Sequence, residues 1–481
     1  MRATRGWPRR TRAVAAATLL GVAGGAAGAA RADEPVAARE PRLMKETAEV
    51  TTVIDAFDAD DPFDLNLVLG FSQSYKRANV RRETTQDGAG LSSGGFVAAT
   101  QNIATYSSST STLLVGADVG LYKDLALVLR LPLVLGWSQS LGDLDGSAAA
   151  SAQRLADPAG GQLFTVPFTS PTRSGVDYVL AGVDWAIFNQ QRDPTKPTWV
   201  VGVEGRLAVG APLHACNANP APGAARCPDP VTGADREPGI SRRMDAIAAH
   251  TIWSRRFGYV EPYSGFWFSA EFPRSDGDFG KWNPSANVFR TPPILASFGM
   301  GVEVVPYEHR SAFQRLSADF RLKGTYHSPG RDYSELFDAL GSSQAASLRT
   351  PNPAAYVPGA GGRGVADPSS EKVYFTGVTE EQAYGSFTAS ASATWQAGEY
   401  VKFTVGTAFT YAQPHLVTAA ETCNPNVADP GAAGPCRNPA TGEVAGAPNP
   451  DHRDAIDLPG RRFSVDDTAI LDLYVMGTVM F

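Results

Sequence analysis

Beyond its leader, the chain lacks any run of about 18 apolar residues, which excludes a membrane-spanning helix. Cysteine is scarce, at four in 481 residues, and Asp33 rather than a cysteine stands directly after the leader's expected cleavage site, so a lipoprotein is not expected. Histidine is scarce too, with six, and none lies inside either cysteine loop. The cysteine spacing does not suit zinc, so no metal or cofactor is expected. Excess charge of one sign is also lacking. Lys and Arg number 42 against 49 Asp and Glu, a net charge of -7 that gives no support for a nucleic-acid partner. No shift in composition marks a linker between domains; Gly- and Pro-rich polar stretches recur along the chain, as loops do.

The first residues read as a signal peptide over 1–32. Arg2, Arg5, Arg9, Arg10 and Arg12 form a basic start, small apolar residues follow from Ala13, and Ala30-Arg31-Ala32 is a small-residue cleavage site. Residues 33–61 read as a solvated periplasmic leader. Its acidic stretch, Asp55, Asp58, Asp60 and Asp61 running into Asp64, lacks the glycine turn and distal glutamate of a calcium loop.

The remainder, 62–481, alternates with a period of two. Between Leu125 and Trp137 the odd positions are Leu125, Leu127, Leu129, Leu131, Leu133, Leu135 and Trp137, while the even ones include Ala126, Arg130, Pro132 and Gly136. A strand sends successive side chains to opposite faces, so one face is wholly apolar and the other holds the charge. Similar segments start near Leu65, Leu113, Trp199, Ile294, Leu316, Phe387 and Val401. Near 259–272, Phe266, Phe268 and Phe272 compete with Tyr263 and Trp267 for the apolar side, and the pattern leaves the choice open.

Links between segments alternate in length. Short ones lie at 122–124, 189–196, 254–258, 306–312 and 397–399. Long ones lie at roughly 77–110, 139–175, 211–240, 273–292, 327–372 and 412–463. This order predicts an all-β fold: a closed antiparallel transmembrane β-barrel of about twelve strands with short periplasmic turns and long extracellular loops. Closure removes the strand edges that lipid does not tolerate. Cys216 with Cys227 and Cys423 with Cys436 fall in two outer loops of similar sequence. Local disulfides are expected there, each restraining its loop by about 3 kcal/mol.

The last strand ends in Leu473, Val475, Gly477, Val479 and the terminal Phe481. This resembles the C-terminal signature of bacterial outer-membrane proteins, which implies recognition by the barrel-assembly machinery. The turn Gly120-Leu121-Tyr122-Lys123-Asp124-Leu125, the Leu131-Pro132 pair, and Ser174-Gly175-Val176-Asp177 after a long loop resemble barrels linked to phenol degradation and FadL-like transporters of hydrophobic compounds. The resemblance implies an outer-membrane location, contact with membrane lipid, and passage of small solutes. Residues 33–61 are too few for the plug-like N-terminal domain of FadL-like proteins.

Charged residues predicted to face the lumen are Asp118, Arg130, Asp184, Glu204, Arg206, Glu303, Arg315, Asp319, Arg321, Lys323 and Lys402. They either pair with one another to fill the interior or line a selective channel, with Arg315, Arg321 and Lys323 along one wall attracting anions and Asp319 offsetting them. No enzyme is expected. The adjacent His327-Ser328 pair would point to opposite faces, and the Tyr-Thr-His-x-Ser-Asn-Gly pattern of phospholipase barrels is absent. Tyr333–Leu340 reads as a short amphipathic helix, either constricting the lumen or capping it. The function expected is a channel for small solutes, with hydrophobic or aromatic compounds among the candidates. The alternative is a surface barrel acting through its braced outer loops.

Overall fold

The structure, a computed structural model, describes residues 47–56, 64–86, 97–145, 152–359, 364–428 and 434–481. The signal peptide expected over 1–32 lies outside the described residues.

Twelve antiparallel strands close into a barrel. They are β1 (Leu65–Gln86), β2 (Val97–Tyr122), β3 (Leu125–Asp143), β4 (Tyr178–Phe188), β5 (Thr198–Ala208), β6 (Met244–Ser254), β7 (Val260–Pro273), β8 (Leu295–His309), β9 (Gln314–His327), β10 (Tyr384–Gly398), β11 (Val401–Ala412) and β12 (Phe463–Met480). Each pairs with its neighbours in sequence, and β1 pairs with β12 from Asn66–Met480 to Arg82–Phe463. The Leu65 and Phe481 backbones exchange hydrogen bonds of 2.9 and 3.2 Å at the closing seam. Two links are very short: Lys123 and Asp124 between β2 and β3, and Glu399 and Tyr400 between β10 and β11. The expected 77–110 loop is different: β1 and β2 run on as a hairpin to Gln86 and from Val97. They extend because Ala78 and Val80 on β1 and Ala104 and Tyr106 on β2 keep alternating inward against the core of the outer loops, joined by Ile103, the extra residue of a bulge.

The outward face is apolar around the barrel. Leu67, Leu69, Phe71, Leu129, Val203, Leu207, Ile247, Phe320, Leu322, Val405, Leu473 and Val475 are all exposed. Apolar surface of that extent needs hydrocarbon around it. Together with closure, it makes this a membrane-spanning barrel of the outer-membrane kind. On β7 the choice left open is resolved: Phe266, Phe268 and Phe272 face out, while Tyr263 is buried inside. Rings of Phe188, Trp199, Trp253, Phe266 and Phe298 touch in succession at 5.1 to 6.2 Å, an aromatic belt over β4 to β8.

One expectation fails within β3. Thr112 pairs with Val134 but Ser111 pairs with Gly136, so Leu135 is an extra residue. Such a bulge reverses the faces beyond it. The outward run therefore ends at Leu135. Trp137 turns inward, donates to Ser108 Oγ at 3.2 Å and lies under the Arg173 guanidinium at 5.2 Å.

The outer loops fold together over the mouth. Leu155, Leu163, Phe164, Leu336, Leu340, Leu348, Val417 and Ile456 form a core with the inward residues at the outer strand ends, Leu141, Phe463 and Val465 among them. The predicted helix appears as Phe337–Gly341, with Phe337, Asp338, Ala339 and Leu340 buried, so it belongs to this cap. Both disulfides form, Cys216–Cys227 and Cys423–Cys436. Their loops fold alike: the Asn217 and Asn424 side chains accept from the Asn219 and Asn426 amides at 2.9 and 3.0 Å.

Candidate functional site

Beneath the cap, the barrel encloses a chamber of about 470 Å³ near its periplasmic end. All of the predicted lumen residues lie on inward strand faces, and register decides their partners. Asp118 and Arg130, on neighbouring strands, pair at 2.5 Å. Asp184 meets His250 at 3.4 Å across β5, where only Gly202 leaves room: a Cβ there would strike both side chains. Gly301 likewise makes space for the Tyr263 ring. The Tyr263 hydroxyl donates to Asp319 at 2.6 Å and accepts from Arg321 Nε at 2.9 Å. Arg206 stacks over Tyr178 at 5.6 Å. Lys323 continues the inward row of Asp319 and Arg321 on β9. Glu204 lines the chamber with no hydrogen-bond or ion-pair partner among the described residues.

Glu303 and Arg315, both buried, pair at 3.0 Å. Arg315 is therefore neutralised within the wall, and Arg321 pairs with Asp319 at 3.7 Å, so the anion-attracting row expected on β9 reduces to Lys323. Glu261 lies opposite Glu303 in the ladder and accepts from Ser254 Oγ at 2.6 Å.

The periplasmic end holds a feature that sequence reasoning missed. Residues 47–56, within the expected solvated leader, enter the lumen as a stopper and line the chamber through Glu49, Val50, Thr52, Val53 and Ile54. The Glu49 amide donates to Glu303 Oε2 at 2.9 Å, its carboxylate pairs with Lys402 at 2.7 Å, and Thr51 meets Ser254 at 3.1 Å. Asp55 pairs with Arg192 at 2.9 Å. Ala56 and Lys123 exchange backbone hydrogen bonds of 2.8 and 3.1 Å. The seat is the Gly120–Leu125 turn itself. A Cβ at Gly120 would overlap the Asp55 carbonyl, and Lys123 adopts a left-handed φ of 44°. That glycine-bearing turn was the available signal, since the stopper residues have no period of their own.

The chamber and the cap are separated by ion pairs. Lys76 meets Glu335 at 2.6 Å, and Arg242 bridges Glu271 and Asp332 at 2.7 and 2.9 Å. Above them Arg173 and Asp338, 1% and 3% exposed, form a two-pronged pair at 2.6 and 2.9 Å, and the Cys216 amide donates to the same carboxylate at 2.9 Å. Deeper in the cap, burial and the Asp451 carboxylate push the Glu380 carboxyl up to about 8, against one hydrogen bond from Asn449.

His327 Nε2 does reach a serine, Ser386, at 3.1 Å. That serine is buried, and the imidazole is stacked at 4.1 Å on Tyr384. No carboxylate holds its other nitrogen among the described residues, so the pair lacks the orienting third group of an activated nucleophile.

No family model matches the chain, and no curated protein matches it either. Solved barrels do align with it. An outer-membrane channel from Pseudomonas putida F1 is 9% identical over 91% of this chain and 99% of that one, with a TM-score of 0.34. A FadL homologue from Pseudomonas aeruginosa is 9% identical over 87% and 90%, at 0.30. The toluene transporter TodX of P. putida is 10% identical over 88% and 91%, at 0.29. At these values the fold assignment rests on the barrel's own closure and register.

Proposed function

We propose that the protein is an outer-membrane channel for small solutes, held shut at its periplasmic end by residues 47–56. The chamber carries this reading. A barrel serving only as an anchor has no need of a polar cavity within the usual size range of small-molecule sites. The stopper is short and its directional contacts are hydrogen bonds and ion pairs, as suits a segment that leaves and returns. The chemistry is passage rather than catalysis, because the His327–Ser386 pair is stacked and shut away. The resemblance to FadL-like and phenol-pathway barrels adds hydrophobic or aromatic compounds to the candidate solutes. Purified full-length protein in planar bilayers tests the proposal. Conductance steps that become more frequent in Gly120→Ala, whose added Cβ would overlap the Asp55 carbonyl of the stopper, are expected. Silence of both proteins, with no solute uptake into vesicles, would reject it.

A second reading is favoured by the cap, whose five outer loops pack into two hydrophobic clusters, with the loop between β9 and β10 contributing to both, instead of hanging as separate arms. It makes the barrel a pedestal for a surface that meets partners outside the cell. Deleting the loop tip 218–226 separates the two: the channel reading predicts unchanged conductance, and the surface reading predicts loss of a cell-surface phenotype alone.

A further inference from the structure

We infer that the β4–β5 wall of the chamber is a binding step for small organic cations, solutes that carry an ammonium or a similar positive group. The inference rests on the channel reading and names its substrate class. Asp184 on β4 and Glu204 on β5 both line the chamber. In the ladder each acid stands opposite a glycine, Asp184 opposite Gly202 and Glu204 opposite Gly182. The two carboxylates are therefore diagonal neighbours on one face, a spacing of about 7–8 Å between their strands' residues. The glycines give them room. A Cβ at Gly202 would strike Asp184 Oδ1, and one at Gly182 would lie 2.9 Å from Glu204 Cγ. Glycine weakens a strand interior, and here it keeps the space around both acids open.

The bases around this wall are engaged elsewhere. Arg130, on the neighbouring β3, is held by Asp118. Arg206, two residues beyond Glu204, lies over the Tyr178 ring and faces Glu271 across Ala246 in the ladder. Arg321 is paired with Asp319, and Lys402 with Glu49. Beside Asp184 stands His250 at 3.4 Å, and the Asp184 Oδ1 atom, screened from solvent, receives no hydrogen bond. Two like charges side by side against a low-dielectric wall repel each other and draw in a counter-charge. Acidic side chains lining a pore select cations in this way. A passing cation supplies the counter-charge that the wall lacks. An anion is repelled there, and an apolar solute strips water from both carboxylates without replacing it, which is costly. Both acids belong to the barrel wall and stay in place whether or not residues 47–56 are seated.

The experiment measures the reversal potential of the full-length protein in planar bilayers under a KCl gradient. It is read in the unaltered protein, or in Gly120→Ala where the stopper keeps the former silent. Potassium is expected to permeate at least roughly threefold better than chloride, a modest steering effect. Asp184→Asn with Glu204→Gln should abolish that preference while conductance steps persist, and an undiminished preference there overturns the inference. If the double variant fails to insert, Glu204→Gln alone decides: a reduced preference upholds the inference and an unchanged one overturns it. Equal permeation, or chloride ahead, in the protein with both acids overturns the inference but leaves the channel reading intact. Uptake into vesicles tests the organic class, and N-methylglucamine should enter ahead of sorbitol and gluconate. Either of those two matching or passing it overturns the inference. Absence of steps and of uptake in both the unaltered protein and Gly120→Ala overturns the channel reading as well.

Discussion

Replacing Gly120 with alanine should unseat the stopper while leaving the barrel closed. The added Cβ would lie where the Asp55 carbonyl now sits, so backbone on one side must move. Gly120 belongs to a strand held on both sides, whereas Asp55 belongs to a short segment, so the segment gives way. Its departure breaks the two Ala56–Lys123 backbone hydrogen bonds. At about 1 kcal/mol each, their loss costs about 2 kcal/mol, or roughly a thirtyfold shift toward the unseated form. The Lys402–Glu49 and Asp55–Arg192 pairs are part-exposed and add little. A spin label on a cysteine introduced at Val53 reads the outcome. The label should be immobile in the parent protein and mobile in Gly120→Ala, with bilayer conductance rising in parallel. A label that stays immobile would refute the proposed seat. A mobile label without conductance would refute its role as a gate.

Removing one partner of the buried Arg173–Asp338 pair, as in Asp338→Ala, should destabilise the cap by about 3–5 kcal/mol, because Arg173 and the Cys216 amide both lose their acceptor. Faster hydrogen exchange across the cap loops would show it, and Arg173→Met with Asp338→Leu should restore much of the protection. Glu380 makes the cap sensitive to pH. Its folded value of about 8 lies above the ordinary 4.5, so its stabilisation is complete below about pH 4.5 and is lost as pH rises through 8. Protease resistance of the outer loops should therefore fall between pH 5 and 9, and Glu380→Gln should flatten that profile. Reducing both disulfides should loosen their loops, by up to about 3 kcal/mol each, without opening the barrel. Loop exchange should accelerate while the barrel's gel mobility stays unchanged.

The barrel was legible because lipid imposes one rule on every strand. Leu127, Leu129, Leu131 and Leu133 must all face hydrocarbon, so the period is visible without knowing any partner. The alternation of short and long links, and two local cysteine pairs in matching sequence, were readable for the same reason: each is a local consequence. The bulge at Leu135 was not, because it arises in the pairing of β3 with β2 and leaves no mark in either strand alone. Trp137, expected on the outward apolar face, therefore lies inside. The stopper escaped notice because Thr47 to Ala56 is short and mixed in polarity, and its partners lie on strands far along the chain, Glu303 and Lys402 among them. Inward charges could be named from alternation, but not their pairing. Arg315 and Arg321 sit on one strand, yet only the side-chain contacts of the folded barrel show that Glu303 neutralises the first while the second lines the chamber beside Asp319.

Brominated lipid supplies the most direct test of the barrel in its membrane. The described residues include no unpaired cysteine, so single cysteines along β3 can carry a fluorophore selectively. Labels at 127, 129, 131 and 133 should be quenched by bromine in the acyl chains, and labels at 126, 128, 130 and 132 should not. Uniform quenching, or none at any position, would contradict a barrel wall with lipid on one side and the chamber on the other.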